Sequence, residues 1–191
     1  MSPSSLKSAA VDAARIRLRR LVREDLPSTL AWRNDERSRK WFKSQDLLQP
    51  DAHAAWFERF MSSKSRDCMF FAEMHDGTPV GQTSIYNFNP ELEDAEVGRF
   101  LSDPALRGQG FFRDALLLTL AHAFDALNLR TVHLEVFRNN ARAIRLYESV
   151  GFIEEPRVDR EILGMRLSRE DFHNRHSADA GSMAGVGAGS S

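Results

Sequence analysis

Three strand-like segments in close succession, CMFFAEM (68–74), PVGQTSIYNF (79–88) and AEVGRFLS (95–102), constrain the fold of this chain most. Branched and aromatic residues fill them, and short turn-rich connections separate them, which is the pattern of an antiparallel meander. The first two are joined by HDGT, where Asp76-Gly77 is expected to supply the positive φ angles of a tight hairpin turn.

The segments around the meander read as one further strand before it and alternating helices and strands after it. Arg15 to Leu21 alternates Arg with Ile16 and Leu18, the period-two signature of a half-solvated strand. REDLPSTLAWRND opens on acids and carries apolar residues at helical spacing, and Pro50-Asp51 opens a second helix containing Ala54, Trp56, Phe57 and Phe60. The aromatic and basic run ERSRKWFKSQDLLQ lies between them. FFRDALLLTLAHAFDAL is too long and uninterrupted for a strand and predicts a largely buried helix. TVHLEVF (131–137) places Val132, Leu134 and Val136 on one face of a strand and His133, Glu135 and Phe137 on the other. In NNARAIRLYESVGF the asparagines offer an N-cap, Ala143, Leu146, Tyr147 and Val150 form an apolar stripe, and Gly151 suits a left-handed C-terminal cap. A last pair of short strands is expected within 152–168. The order βααβββαβαββ is that of a mixed α/β fold with four helices.

With 191 residues, 42% of them hydrophobic, the chain can bury one sizeable core. A single domain is expected over 15–172, with a flexible N-terminus (1–14) and a disordered tail (173–191) rich in Gly, Ser and Ala. Lys and Arg total 26 against 27 Asp and Glu, so no positive excess drives the chain toward nucleic acid or an acidic membrane surface. The single Cys68 excludes an internal disulfide and a cysteine-built metal site, and reads as a small buried hydrophobe; no metal is expected. No apolar run approaches the roughly 18 residues needed to span a bilayer. The N-terminus has no secretory apolar segment, although its Ser and Arg content is similar to a transit peptide's, and a soluble cytoplasmic protein is the expectation.

Arg107-Gly108-Gln109-Gly110-Phe111-Phe112 then links a strand to a helix. A glycine-containing turn at that place brings unpaired backbone N–H groups and the positive helix end together, a ready anion site. Alone, the two glycines also fit an ordinary turn, and a dinucleotide-binding reading fails because no third glycine follows and the preceding strands form a meander.

The stretch from Asn140 to Phe152 reads N-x-x-A-I-x-L-Y-E-x-x-G-F, with R-G-x-G upstream and LEV just before it. In these motifs, over about residues 16 to 168, the chain resembles the GNAT acyltransferases, which use acetyl-coenzyme A. The resemblance implies a mixed, mostly antiparallel sheet of about seven strands, splayed in the middle and flanked by four helices. It implies that Arg107, Gly108, Gln109, Gly110, Phe111 and Phe112 bind the coenzyme pyrophosphate. The pantetheine arm would run beside Phe100, Leu101 and Ser102, where a backbone N–H can stabilise developing oxyanion charge, and Asn140, Ala143 and Tyr147 would complete the coenzyme site. Tyr147, in the LYE position, would be the general acid and Glu135 the general base, with His133, Glu96 or water alone as rivals. Phe112 departs from the family pattern, which has Gly or Ala there, and its ring is expected to point into the core with Leu116.

Acceptor choice in such proteins resides in the first two helices and the loop between them. The run W-R-N followed by H-x-x-W-F resembles the branch acting on nucleotide-linked deoxy-amino sugars, and Arg33, Trp41, His53, Trp56, Tyr86 and Glu96 are the expected acceptor-site residues, with Trp32, Phe57 and Phe60 in the core. AEVGRFLSDPALRGQG is also similar to N-terminal peptide and ribosomal-protein acetyltransferases. A polyamine or antibiotic acceptor, a catalytically silent acyl-CoA-binding module and a homodimer stay open at this point.

Overall fold

The computed structural model describes residues 15–63, 66–156 and 159–182, with residues 177–182 described by backbone alone. The sheet contains β1 (Ile16–Arg20), β2 (Cys68–Met74), β3 (Pro79–Asn89), β4 (Asp94–Ser102), β5 (Thr131–Phe137), β6 (Ile153–Glu154) and β7 (Ile162–Ser168). They form one seven-stranded sheet in the order β1-β2-β3-β4-β5-β7-β6. Every neighbouring pair is antiparallel except β4 and β5, which run parallel. The helices are α1 (Leu26–Asn34), α2 (Glu36–Arg39), α3 (Pro50–Ser62), α4 (Phe111–Ala121, prolonged by a π turn over His122–Ala126), α5 (Ala141–Val150) and α6 (Arg169–Ser182).

The sheet is buried on both faces, which explains why CMFFAEM reads as a continuous apolar run. Phe70 and Ala72 face α4 and α5 with Ile85, Val97, Val132, Leu134, Leu116, Leu120 and Val150. Met69 and Phe71 face α1 and α3 with Leu26, Trp32, Phe57 and Leu101, and Trp32 stacks on Phe71 at 5.6 Å. At the sheet edge, Arg17 and Arg19 reach Glu73 on β2 at 2.8 and 2.9 Å, and Arg19 also grips Asp25 through two 2.7 Å bonds. The alternation in IRLRR thus becomes an apolar inner face and a guanidinium outer face.

Three sequence expectations are corrected here. The hairpin after β2 has one positive φ, at Gly77, while Thr78 N–H bonds the Asp76 side chain and Met74 N–H bonds Thr78 O. This is a type I turn closed by a glycine bulge, which needs only one left-handed residue. The helices number six among the described residues rather than four, because Asp35 caps the short α2 and α6 follows β7 directly. The tail cannot begin at 173: α6 continues to Ser182, and His176 is buried and bonds the Val150 carbonyl. Arg175 donates to the Glu148 and Ser149 carbonyls at the C-terminus of α5, so α6 is held where α5 leaves acceptors unpaired. Residues 1–14 and 183–191 of the expected flexible ends lie outside the described residues.

At Gly81, β3 lies close against β4. A Cβ there would sit 2.5 Å from the Leu101 carbonyl oxygen and 3.4 Å from the Phe112 ring. Gly81→Ala must therefore push backbone from backbone. The expected loss is about 1–3 kcal/mol, read as a fall in denaturation midpoint with unchanged m-value; an unchanged midpoint would show that the two strands are not held this tightly.

Candidate active site

β4 pairs with β5 only through Asp94–Thr131, Ala95–Val132 and Glu96–His133. Beyond Glu96 the two strands part. On its other side β4 carries an extra residue, the register with β3 shifting between Gln82–Leu101 and Ser84–Gly98. The bulge centres on Arg99, whose φ of 50° lies in the left-handed region that a non-glycine residue occupies only at a cost. Gln82, buried, donates to the Arg99 carbonyl at 3.1 Å and holds the distortion in place.

Phe100 from β4 and Tyr147 from α5 enter the opening, 5.9 Å between ring centroids, with Phe152 behind Tyr147 at 6.0 Å. Tyr147 is buried, and among the described residues its hydroxyl has no hydrogen-bond partner. Burial, with Tyr86 adding to it, raises the Tyr147 phenol well above an ordinary tyrosine. Tyr86 is pushed up to about 12, by burial first and then by the charge of Glu96. A Cβ on Gly98 would meet the Tyr86 hydroxyl at 2.7 Å, so this glycine makes the room in which Tyr86 lies.

Asp94, Glu96, His133 and Glu135 share this face of the sheet by the alternation of β4 and β5. His133 is held between Glu155 at 3.2 Å and Asp94 at 3.6 Å. Glu135 is more open, with the exposed Lys43 ammonium 3.4 Å from its carboxylate.

At the N-terminus of α4, Gly108 and Gly110 both have φ of +85°. Among the described residues no acceptor is bonded to the N–H groups of Gly108, Gly110, Phe111 or Phe112, which open onto the helix start. This cradle fits a diphosphate: donors converge, and the glycines reach a conformation that L side chains avoid. Arg15 braces it, with bonds to Asp114 at 2.5 and 3.0 Å and to the Gln109 carbonyl at 3.2 Å, its guanidinium lying over Phe111. Phe112 does not turn into the core with Leu116 as expected: its half-buried ring packs edge-on against Phe100 at 5.6 Å and over Gly81. The gap between Gly81 and Phe100 is the space that accepts a large side chain.

Several expected ligand residues have structural employment. Arg107 turns away from the cradle to Asp35 and Ser38. Asn140 caps α5 by accepting from Ala143 N–H, and Ala143 packs against the core. Arg33 lies over Phe42 and donates to the Ser44 carbonyl. His53 is buried, with Nε2 2.8 Å from the Thr29 hydroxyl and its ring stacked on Trp56, which stacks in turn on Phe60. Arg33, His53 and Trp56 thus fix α1, α3 and the following loop. Tyr86 and Glu96 do reach the opening, as do Phe100 and Tyr147. Leu101 is buried in the second core cluster, and Ser102 stays paired with Gly81. Trp41 lies 6.4 Å from Phe137 and with it lines a cleft of about 340 Å³ whose walls include Lys40, Arg138, Arg160 and Glu161. Sequence reasoning did not single out Arg15, Asp35, Gln82 or Gly98 for the site; only Gly98, a lone glycine inside a strand, carried a recognisable signal.

A sheet parted at its centre, with a glycine cradle beside the gap, defines an acyl-CoA-dependent transferase. The chain belongs to the GNAT family: the model for the acetyltransferase (GNAT) domain matches residues 15–153. It is an N-acetyltransferase with acetyl-CoA as donor. Among its relatives, alpha/beta-tubulin-N-acetyltransferase 9 of Drosophila melanogaster is 26% identical over 70% of this chain and 73% of its own. Spermidine N(1)-acetyltransferase of Escherichia coli (strain K12) is 28% identical over 73% and 74%. The structure of spermidine N-acetyltransferase from Vibrio cholerae in complex with CoA and spermine superimposes with a TM-score of 0.76, covering 83% of this chain and 98% of that one at 22% identity.

Two expectations follow from the side chains around the site. Burial first, and then the nearby Arg33 charge, lowers the His53 pKa, so its contribution to stability is present above the unfolded value near 6.5 and is lost as pH falls. Melts from pH 7.5 to 5 should show a shallower loss for His53→Gln than for the parent; equal slopes would remove His53 from that role. Gly98→Ala should displace Tyr86 and lower kcat by about tenfold or more with coenzyme binding intact, and full activity would show that the position of Tyr86 is immaterial.

Proposed function

We propose that this enzyme acetylates a primary amine of a small molecule by direct attack on the thioester in the gap between β4 and β5. The observation that carries the reading is Tyr147, a buried side chain beside Phe100 in that gap whose hydroxyl has no hydrogen-bond partner among the described residues. The cradle at 107–112 would bind the coenzyme diphosphate through main-chain N–H groups, and the unpaired edge of β4 from Phe100 to Ser102 would bond the pantetheine amides. Acetyl-CoA supplies the activated acyl group.

Lys43 models the acceptor's arrival, since its ammonium already rests against the Glu135 carboxylate. In the proposed reaction Glu135, directly or through a water, takes a proton from the acceptor ammonium. The neutral amine then forms the C–N bond as the C–S bond breaks; the sulfur leaves with the electron pair, and the proton that the acylated nitrogen sheds is taken up by that thiolate to give the free thiol. His133 is less suited to be the base because it is held between Asp94 and Glu155. Tyr147 stays protonated throughout the working pH range. Its phenol is raised above an ordinary value of about 10, whereas a thiol ionises near 8.5, so complete transfer to sulfur is uphill. The contribution expected of Tyr147 is a hydrogen bond that strengthens as the sulfur becomes negative.

For the acceptor, Asp94, Glu96, Glu135 and Glu155 form an acidic lane around His133, suited to a chain of ammonium groups. With the spermidine acetyltransferases among the relatives, this favours a polyamine. A second reading, an amine joined to an anionic group as in a nucleotide-linked amino sugar, is favoured by Lys40, Arg138 and Arg160 beside Trp41 in the neighbouring cleft.

Thiol release should be compared for spermidine, a 4-amino-deoxysugar nucleotide and short peptides. Highest kcat/KM with spermidine is the expected result; turnover confined to the nucleotide sugar would transfer the assignment to the second reading, and turnover confined to peptides would sink both. Tyr147→Phe should lower kcat by about 10- to 1000-fold while the CoA Kd changes little. An unchanged kcat would exclude Tyr147 from the chemistry.

A further inference from the structure

Arg107 opens the glycine loop, yet its guanidinium is turned away from that loop's N–H groups. Nη2 lies 2.5 Å from Asp35 Oδ1 and 2.8 Å from Ser38 Oγ, with the side chain only 16% exposed. The same Asp35 oxygen accepts the Ser38 N–H at 3.0 Å and so caps α2. Asp35 is the last of three consecutive residues that fasten the acceptor-side segment. Arg33 holds the Ser44 carbonyl, and Asn34 both donates to the Leu48 carbonyl at 2.8 Å and accepts from its N–H at 2.9 Å. Lys43, which touches Glu135, and Trp41, which faces Phe137, lie on the segment these three residues hold. Arg107 is therefore a direct side-chain tie between the coenzyme loop and the hub of the acceptor segment.

We infer that Arg107 is a positioning residue, a strut through Asp35 that makes the order of residues 36–48 depend on occupancy of the coenzyme loop. Fixing the 107–112 backbone around a diphosphate fixes the base of the Arg107 side chain. The short, partly buried, charge-assisted bonds then transmit that restraint to Asp35 and the α2 cap. Burial alone would raise the Asp35 pKa, but the Arg107 bond and charge, with the Ser38 bonds, outweigh it and hold the carboxyl below its ordinary range. The strut is thus intact at neutral pH and weakens as acid protonates Asp35. By reciprocity, an acceptor that orders 36–48 tightens coenzyme binding by the same factor.

This inference rests on the assignment of 107–112 as the coenzyme loop, which titration of the full chain with CoA tests separately; a parent protein that bound no CoA would overturn that assignment and the strut together. Where CoA binds, hydrogen exchange of the full chain should show amides of 36–48 slowed by about fivefold or more at saturating CoA. Arg107→Gln and the milder Asp35→Asn should each abolish that slowing while leaving the CoA Kd within about threefold, and the exchanged pair Arg107→Asp with Asp35→Arg should restore part of it. Thermal melts establish that each variant is folded. The strut is overturned if CoA leaves 36–48 unchanged in the parent. It is equally overturned if Arg107→Gln weakens CoA about tenfold or more with the slowing retained at saturation, which would make Arg107 a phosphate ligand.

Discussion

β4 has two partners at its start and one at its end. Over Asp94 to Glu96 it is bonded to β3 and β5, but beyond Glu96 only β3 remains, and even there Arg99 is squeezed out of register. A strand that loses a neighbour inside a buried sheet exposes a row of N–H and C=O groups, which folded proteins seldom leave unsatisfied. Here the unpaired edge runs beside the glycine cradle, and an extended amide-bearing arm is the natural complement. The left-handed Arg99, a cost elsewhere in the chain, keeps the edge open. Gln82 fixes the bulge from behind and Gly81 lets β3 follow the bend. Phe100, carried on that bulge, is re-aimed toward Tyr147. The geometry of the opening therefore depends on a defect in pairing more than on any one side chain.

Much of this architecture is legible in the sequence because periodicity survives folding. The alternation in TVHLEVF correctly separates buried Val132, Leu134 and Val136 from His133, Glu135 and Phe137, and Asn140 and Gly151 cap α5 as their chemistry requires. What escapes detection is long-range. Nothing in RGQGFF reveals that Arg107 bonds a carboxylate 72 residues earlier in the chain. Similarly, no local rule makes a residue such as Arg99 left-handed. The tail misleads for a different reason: its overall composition is too small and polar for a core, but Arg175 and His176 suffice to seat its start on the end of α5.

The acceptor-side residues show why residue type alone overstates ligand roles. An Arg, an Asn and an Asp in succession at a helix end suggest a polar pocket, yet each is occupied with an irregular segment that cannot satisfy its own backbone. Arg33 serves Ser44, Asn34 serves both groups of Leu48, and Asp35 serves α2. His53 closes a contact between α1 and α3 through Thr29. Long loops need such external partners, so polar residues flanking a loop are often claimed by it first. Trp41 escapes this demand and, half-buried beside Phe137, reaches the cleft.

The charges around the opening also bear on the proton that must leave the acceptor. The acidic lane of Asp94, Glu96, Glu135 and Glu155 attracts an ammonium, but the same field makes that ammonium harder to deprotonate. Lys40, Arg138 and Arg160 on the adjacent cleft act in the opposite sense, favouring the neutral amine that alone can attack. Lys43, 3.4 Å from Glu135, belongs to both fields because an arriving amine that takes its place exchanges one cation for another. In the proposed reaction, binding by carboxylates and deprotonation beside cations would limit the penalty for holding the amine in its charged form. The basic rim would thus serve the deprotonation of a polycationic acceptor as well as the binding of an anionic one.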